Sequence, residues 1–303
     1  MAEIKEIIDE DYVHSANSLF HFMSESKYLI DALERRALCP RYFVEDVSYL
    51  NIQYDGDDFE RIAVLQKCFC DIPLGSIIKR FPIRITDKSM TEQQRQKLKN
   101  EISHTDLYGG YGLSFSKPWG EKKKLQTIQY LSNQSERVSY FSKMINEGLL
   151  QDNTSDDMSD ALLNEMCYLK PLRGTMRHNL KCEDGEKISC EISKNFHDEH
   201  EWRYVPFGVT IDNESLDCLL ANGIVDSGIL KSMSDKLEDI EFKETWLTFE
   251  YENIRYIIVP DNASRREIID VLNSLSSEVF DNPIQCSILI SKILVLEEIK
   301  KDF

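Results

Sequence analysis

Short apolar runs and amphipathic stretches follow one another along the chain without a fixed rhythm. Leu19-Phe20-His21-Phe22 is a compact apolar run, and beyond Ser24 and Ser26 the residues Tyr28, Leu29, Ala32, Leu33 and Ala37 recur at helical spacing up to Pro40. This order predicts a strand, a helix capped by one of the two serines, and a stop. Residues 63–69 read as a buried strand ended by Asp71-Ile72-Pro73, and Thr91 caps a polar helix to about Asn100, with Gln94 at the capping-box position. The stretch 108–115 is glycine-rich and then alternates, which suits a strand entered through a tight turn where backbone passes close to a neighbour.

Further along, the pattern predicts helices near 135–147 and 158–168 and strands at 188–192 and 201–205. Residues 246–251 and 254–259, joined by Glu252-Asn253, read as a hairpin. A helix is expected after Ser264, an apolar strand over 287–294 and a short helix from Glu297. Strands and helices do not alternate in a βαβ rhythm, and no internal repeat is present, so the expected class is α+β.

Composition narrows the picture. The 303 residues are 42% hydrophobic and 10% aromatic, enough to build the core of one large domain or two small ones, with one decorated domain preferred. No run approaches the roughly 20 apolar residues of a membrane span. The opening Met-Ala-Glu-Ile-Lys-Glu lacks the basic-then-apolar order of a signal peptide, so a cytoplasmic protein without membrane partners is expected. Eight cysteines without a C-x-x-C spacing are expected to be reduced and mostly buried.

The formal net charge is −17, yet residues 79–124 carry eleven basic against five acidic side chains. A local surface can therefore collect phosphates although the body repels them, because screening limits each field to roughly 8 Å. An ordinary solvated helix face is the competing reading. The acidic stretches 55–60 and 151–160 have the chemistry of loops.

Walker A, dinucleotide-fingerprint, H-E-x-x-H and G-x-S-x-G signatures are all absent. The densest polar cluster is His197-Asp198-Glu199-His200-Glu201-Trp202-Arg203-Tyr204. As a strand it would put Glu199, Glu201 and Arg203 on one face and His200, Trp202 and Tyr204 on the other. Such a face is exposed and self-paired, or it is used. A metal set of His178, Cys182, Cys190, His197 and His200 does not have the intervals of a known zinc module, and no metal is expected. His21 is either a hydrogen-bonded core histidine or a ligand group at a strand end.

Seven pieces in order, Ser18-Leu19-Phe20-His21-Phe22, Pro40-Arg41-Tyr42 with Glu45-Asp46, Cys68-Phe69-Cys70-Asp71-Ile72-Pro73-Leu74, Tyr108-Gly-Gly-Tyr111-Gly-Leu, Lys117-x-Trp119-Gly120, Asp198 to Tyr204, and Asp302-Phe303, together resemble the AbiGi abortive-infection family of phage-defence proteins. That family is labelled an antitoxin, which implies a binding role. The same pattern is more distantly similar to the ADP-ribosyltransferase fold, including nucleic-acid toxins of the DarT type.

That second resemblance implies a single decorated domain over 1–303, with a split β-sheet core, a basic insertion at about 79–107 and a helical insertion at about 133–170. It implies an NAD-dependent ADP-ribosyltransferase toxin acting on RNA or DNA and held in check by a cognate antitoxin or inhibitor. A catalytically silent antitoxin or binding module on the same fold is the alternative. NAD would be the substrate. Glu201 would stabilise the oxocarbenium-like ribose and Glu199 would position the acceptor. Tyr111 or Tyr108 would stack on nicotinamide, His21 with its neighbour Phe22 would hold the adenosine end, and Arg41 the pyrophosphate. Lys117, Lys122, Lys123 and Lys124 are the residues expected to contact nucleic acid.

Overall fold

The computed structural model describes residues 15–302, apart from 55–56, 100, 150–155, 183–184, 209, 212–213, 216–217, 221–226 and 281–282. The N-terminal hexapeptide, Asp55-Gly56, the first part of 151–160 and Phe303 lie outside the described residues. The architecture is mixed α+β.

The central sheet runs in the order Gln126–Thr127, Glu201–Tyr204, Arg61–Cys70, Ser18–Met23, Tyr111–Ser116, Ile254–Val259 and Ile293–Val295. Only the last pairing is parallel. The long strand Arg61–Cys70 also pairs with Arg41–Asp46 and Cys218–Leu220 through its first half.

The sheet is divided in the middle. Ser18–Met23 pairs with Tyr111–Ser116 over its whole length, but it meets Arg61–Cys70 at one position, Phe20 opposite Cys70. Beyond that bridge the His21 side chain takes over the role of a backbone donor, with Nδ1 2.8 Å from the carbonyl oxygen of Cys68. The strands separate there, and an imidazole closes the gap.

Each half is covered by apolar side chains that the sequence spacing places on one face. Ser26–Arg35 buries Leu29, Ala32 and Leu33 against Leu19, Met23, Phe115 and the helix Asn262–Val279. On the other half, Glu136–Leu149 and Asp156–Met166 bury Val138, Ile145, Leu162 and Met166 against Leu50, Ile52, Phe59 and Ile62. The hairpin of Arg173–Lys181 and Lys187–Asn195 extends its sheet with Arg84–Ile85. It packs Leu180, Cys190 and Ile192 on Leu98, Ile102 and Leu107, so the basic segment rests on a small apolar core of its own.

Several expectations hold. The first strand and helix, the strand over 63–69, the paired helices and the Thr91–Gln94 capping box are present. The cap of the first helix is Glu25 rather than a serine, and it makes no side-chain bond. The helix expected after Ser264 begins at Asn262, with Asp261 accepting from the Ser264 N–H. Cys39, Cys70, Cys167, Cys182, Cys190 and Cys286 are free and buried, and Cys68 is free and half-buried.

Three expectations are corrected. Residues 246–259 are not a hairpin: Leu247–Thr248 pairs with Ala37–Leu38, and Ile254–Val259 lies between Tyr111–Ser116 and Ile293–Val295. Most of the run 287–294 is helical, because Pro283–Ser291 packs Cys286 and Leu289 inward and leaves only Ile293–Val295 as strand. In the acidic stretches the described residues are regular rather than loop, since Asp57–Phe59 pairs with Ile52–Tyr54 and a helix starts at Asp156.

The glycine turn before Tyr111 is built as its composition suggests. Gly109 has φ of 104°, and a Cβ there would sit 2.0 Å from the carbonyl oxygen of Met23. Gly185, at φ 88°, has open space around the same position. Gly109→Ala should therefore lower unfolding free energy by at least about 2 kcal/mol through strain and displaced backbone, whereas Gly185→Ala should stay near the roughly 1 kcal/mol of left-handed strain alone. Urea unfolding of the two variants measures the difference.

Candidate functional site

The strand Glu201–Tyr204 begins abruptly. The single turn Phe196–Glu199 ends at His200, whose φ of 44° is left-handed, and this reversal puts Glu199 off the strand. Ile128 N–H bonds the Glu201 carbonyl at 3.0 Å, and the Glu201 N–H donates to the Tyr130 hydroxyl at 2.9 Å. Both carboxylates nonetheless end in the interior, with Glu201 4% and Glu199 7% exposed.

Glu201 is held by two cations. Arg203, fully buried, donates from Nε to Glu201 Oε1 at 2.9 Å, from a terminal nitrogen to Glu45 Oε1 at 2.6 Å, and from the other to the Cys167 carbonyl at 2.5 Å. Lys170 Nζ donates to Glu201 Oε2 at 2.9 Å. Burial alone would raise the Glu201 pKa, but Arg203 and Lys170 outweigh it and hold the carboxyl far below the usual carboxylate range.

Glu199 anchors a second group. It accepts from the Tyr108 hydroxyl and pairs with the Lys194 ammonium, which also donates to the Tyr108 oxygen at 2.5 Å. The His104 ring lies 4.6 Å from Tyr108 and 5.3 Å from Phe22, between centroids. Burial opposes ionisation of Glu199, yet Lys194 and Lys170 lower its pKa, while burial and the Glu199 charge raise that of Tyr108. Burial pulls His104 down to about 4.

The residues expected from sequence are thus only partly gathered. Glu199, Tyr108 and Phe22 belong to one cluster, with Glu201 next to it through Lys170. Of the two tyrosines, Tyr108 is the one beside a carboxylate; Tyr111 bonds the Ser264 hydroxyl at 3.0 Å. Phe20, Cys70 and Glu201 lie opposite one another and share a face of the sheet, so His21 projects to the other face, beside Phe69. Burial, with Lys67 adding to it, lowers the His21 pKa to about 3.

Arg41 is engaged by Asp235 and Glu238 and does not reach this cluster. Lys117 does not belong on a phosphate-facing surface: it is buried, 2.6 Å from Asp71 and 2.7 Å from the Ser15 hydroxyl. Lys122, Lys123 and Lys124 lie at the C-terminal end of the helix Lys117–Lys122. His178, Cys182, Cys190, His197 and His200 do not converge into a metal-binding group among the described residues.

The sequence assigns no role to Lys170, Lys194 or Tyr130, nor to Glu45, which appears there only inside a motif. They are scattered through the chain, Lys170 being 31 positions from the carboxylate it meets. The one available signal was the pair of adjacent acids in a stretch rich in aromatics, which demands buried cations without saying which.

Comparison with known proteins adds the following. Residues 94–260 match the family model described as abortive phage resistance protein AbiGi, antitoxin. The abortive phage resistance protein AbiGi of Lactococcus lactis subsp. cremoris is 32% identical over 276 residues, covering 88% of this chain and the whole of that relative. No solved structure matches. No helix among the described residues is long and apolar enough to cross a membrane.

The imidazoles of His21, half-buried, and His104, buried, set a pH dependence. Their folded pKa values, about 3 for His21 and about 4 for His104, lie below the ordinary 6.5, so the unfolded chain binds more protons as pH falls. Stability is then intact above about pH 6.5 and should fall below it, by about 1.4 kcal/mol per pH unit for each histidine once the unfolded imidazoles are protonated. His21→Asn, which keeps a donor for the Cys68 carbonyl, should remove about one proton from the slope. Urea unfolding between pH 7 and 4.5 reads both effects.

Proposed function

This chain belongs to the AbiGi family of abortive phage resistance proteins, and on that premise we propose that it is the antitoxin of a phage-defence pair, a protein that binds and restrains a cognate toxin. The description of its family model as an antitoxin supports this reading. The observation that carries it is the state of Glu201. At the position where a transferase would offer a carboxylate to a ribose, Glu201 is buried and both of its oxygens are held, one by Arg203 and one by Lys170. A carboxylate so neutralised has little field left for a developing cation. Glu199 is engaged in the same way by Lys194 and Tyr108. These groups stabilise a scaffold, and the scaffold presents its surface to a partner.

A second reading is NAD-dependent ADP-ribosyl transfer to RNA or DNA, with NAD as substrate. What favours it is the divided sheet, in which the strand of His21 and the strand of Glu201 flank the same residue, Cys70. What weighs against it is that His21 and Glu201 face opposite sides.

The two readings separate in one experiment with two readouts. Incubated with NAD and nucleic acid, the purified chain should consume no NAD above a protein-free control. Co-expressed with the toxin of its own system, it should relieve growth arrest and co-purify in a defined ratio, and Glu201→Gln variants that remain folded should still do so. NAD loss that falls by about a hundredfold or more on Glu201→Gln, with no protection against the toxin, would replace the first reading by the second.

A further inference from the structure

On the sheet face away from Glu201, to which Tyr204 points, a groove of about 240 Å³ is lined by Lys122, Lys123, Lys124, Tyr204, Trp246, Leu247 and Thr248. Its shape follows from the end of a helix. Lys123 and Lys124 N–H groups bond back to the carbonyls of Trp119 and Glu121, and Lys124, at φ 62°, turns the chain so that three consecutive lysines border one groove. The helix C-terminus favours cations there, but it does not account for what surrounds them.

No acidic side chain lines the groove among the described residues, in a protein of net charge −17. Among the described residues the Lys122 and Lys124 side chains make no ion pair or hydrogen bond, and the Lys123 ammonium donates only to the Thr248 hydroxyl at 3.1 Å. The two aromatic rings are fixed by their polar ends. Trp246 Nε1 donates to the Leu237 carbonyl at 2.8 Å and the Tyr204 hydroxyl to the Thr245 carbonyl at 3.3 Å, while the Arg35 guanidinium lies 5.2 Å from the Trp246 ring. Pinned rings beside unneutralised cations are ready for a ligand that is flat at one end and anionic at the other.

We propose that this groove binds single-stranded nucleic acid, taking one base between Tyr204 and Trp246 and the flanking phosphates on Lys122, Lys123 and Lys124. Volume and chemistry both point this way. The groove has room for about one base and none for a duplex, and stacking on an aromatic with lysines along the backbone is how sequence-tolerant single-strand sites work. An acidic peptide would satisfy the lysines but leave the rings without a role. The site is independent of the antitoxin reading, since it uses none of the Glu199 and Glu201 partners.

The test is fluorescence anisotropy of labelled 12-nucleotide single strands, as RNA and as DNA, and of the matching duplexes, titrated across salt. Single strands should bind more tightly than duplexes. The logarithm of affinity should fall with the logarithm of salt with a slope that includes about 0.7 per phosphate contact, so Lys122→Gln/Lys123→Gln/Lys124→Asn should flatten it by about 2. Asparagine is chosen at position 124 because it tolerates positive φ. Tyr204→Leu should weaken binding about tenfold and leave the slope unchanged. Equal slopes for wild type and triple variant, tighter binding of duplex than of single strand, or binding of polyglutamate in place of nucleic acid would each overturn the proposal. Preference between RNA and DNA would identify the natural strand.

Discussion

A guanidinium cut off from water organises one half of this protein. Arg203 has no exposed surface, and its three bonds tie its own strand, through Glu201, to Glu45 on a second strand and to the Cys167 carbonyl just past a helix end. Burying a charge is expensive, and mutual attraction offsets the expense only when every partner is in place. Lys170 completes the set by taking the second oxygen of Glu201. Two acids and two bases then sit together, largely buried and with no net charge, and the strand Glu201–Tyr204 has little freedom to shift in register.

The neighbouring cluster extends the same constraint across the sheet. Glu199, Lys194 and Tyr108 connect the turn before that strand to the hairpin strand Lys187–Asn195 and to the short helix His104–Tyr108. The basic segment, which composition alone suggests is a solvated face, is thereby seated on its own apolar core beside the carboxylates. Part of its positive charge is answered by carboxylates, as Lys97 pairs with Glu186, Arg80 with Asp106 and Lys117 with Asp71. The cations left without acidic partners in the groove are three residues at the far end of the segment.

Local chemistry was legible in the sequence, and distant pairing was not. The run Leu19 to Phe22, the helical spacing from Tyr28 and the Thr91–Gln94 capping box are complete within a few residues, so they could be read directly. The segment 246–259 contains two strands, but each finds its partner far away in sequence, and adjacency suggested a hairpin that does not form. The apolar run at 287–294 is ambiguous by nature, because a buried helix and a buried strand have the same composition over so short a span. Among the site residues, Glu199 and Glu201 were visible as a dense acidic motif. Lys170 and Lys194 were not, since nothing in their own surroundings announces a buried counterion.

The central claim is that Glu201 serves the fold. Its direct test is equilibrium unfolding in urea of wild type and Glu201→Gln at neutral pH. Removing one partner of a buried ion pair leaves Arg203 and Lys170 uncompensated, so the variant should lose about 3–5 kcal/mol of stability. A carboxylate kept for chemistry behaves in the opposite way, because active sites hold groups that the fold would be better without. A Glu201→Gln protein as stable as wild type, or more stable, would contradict the account.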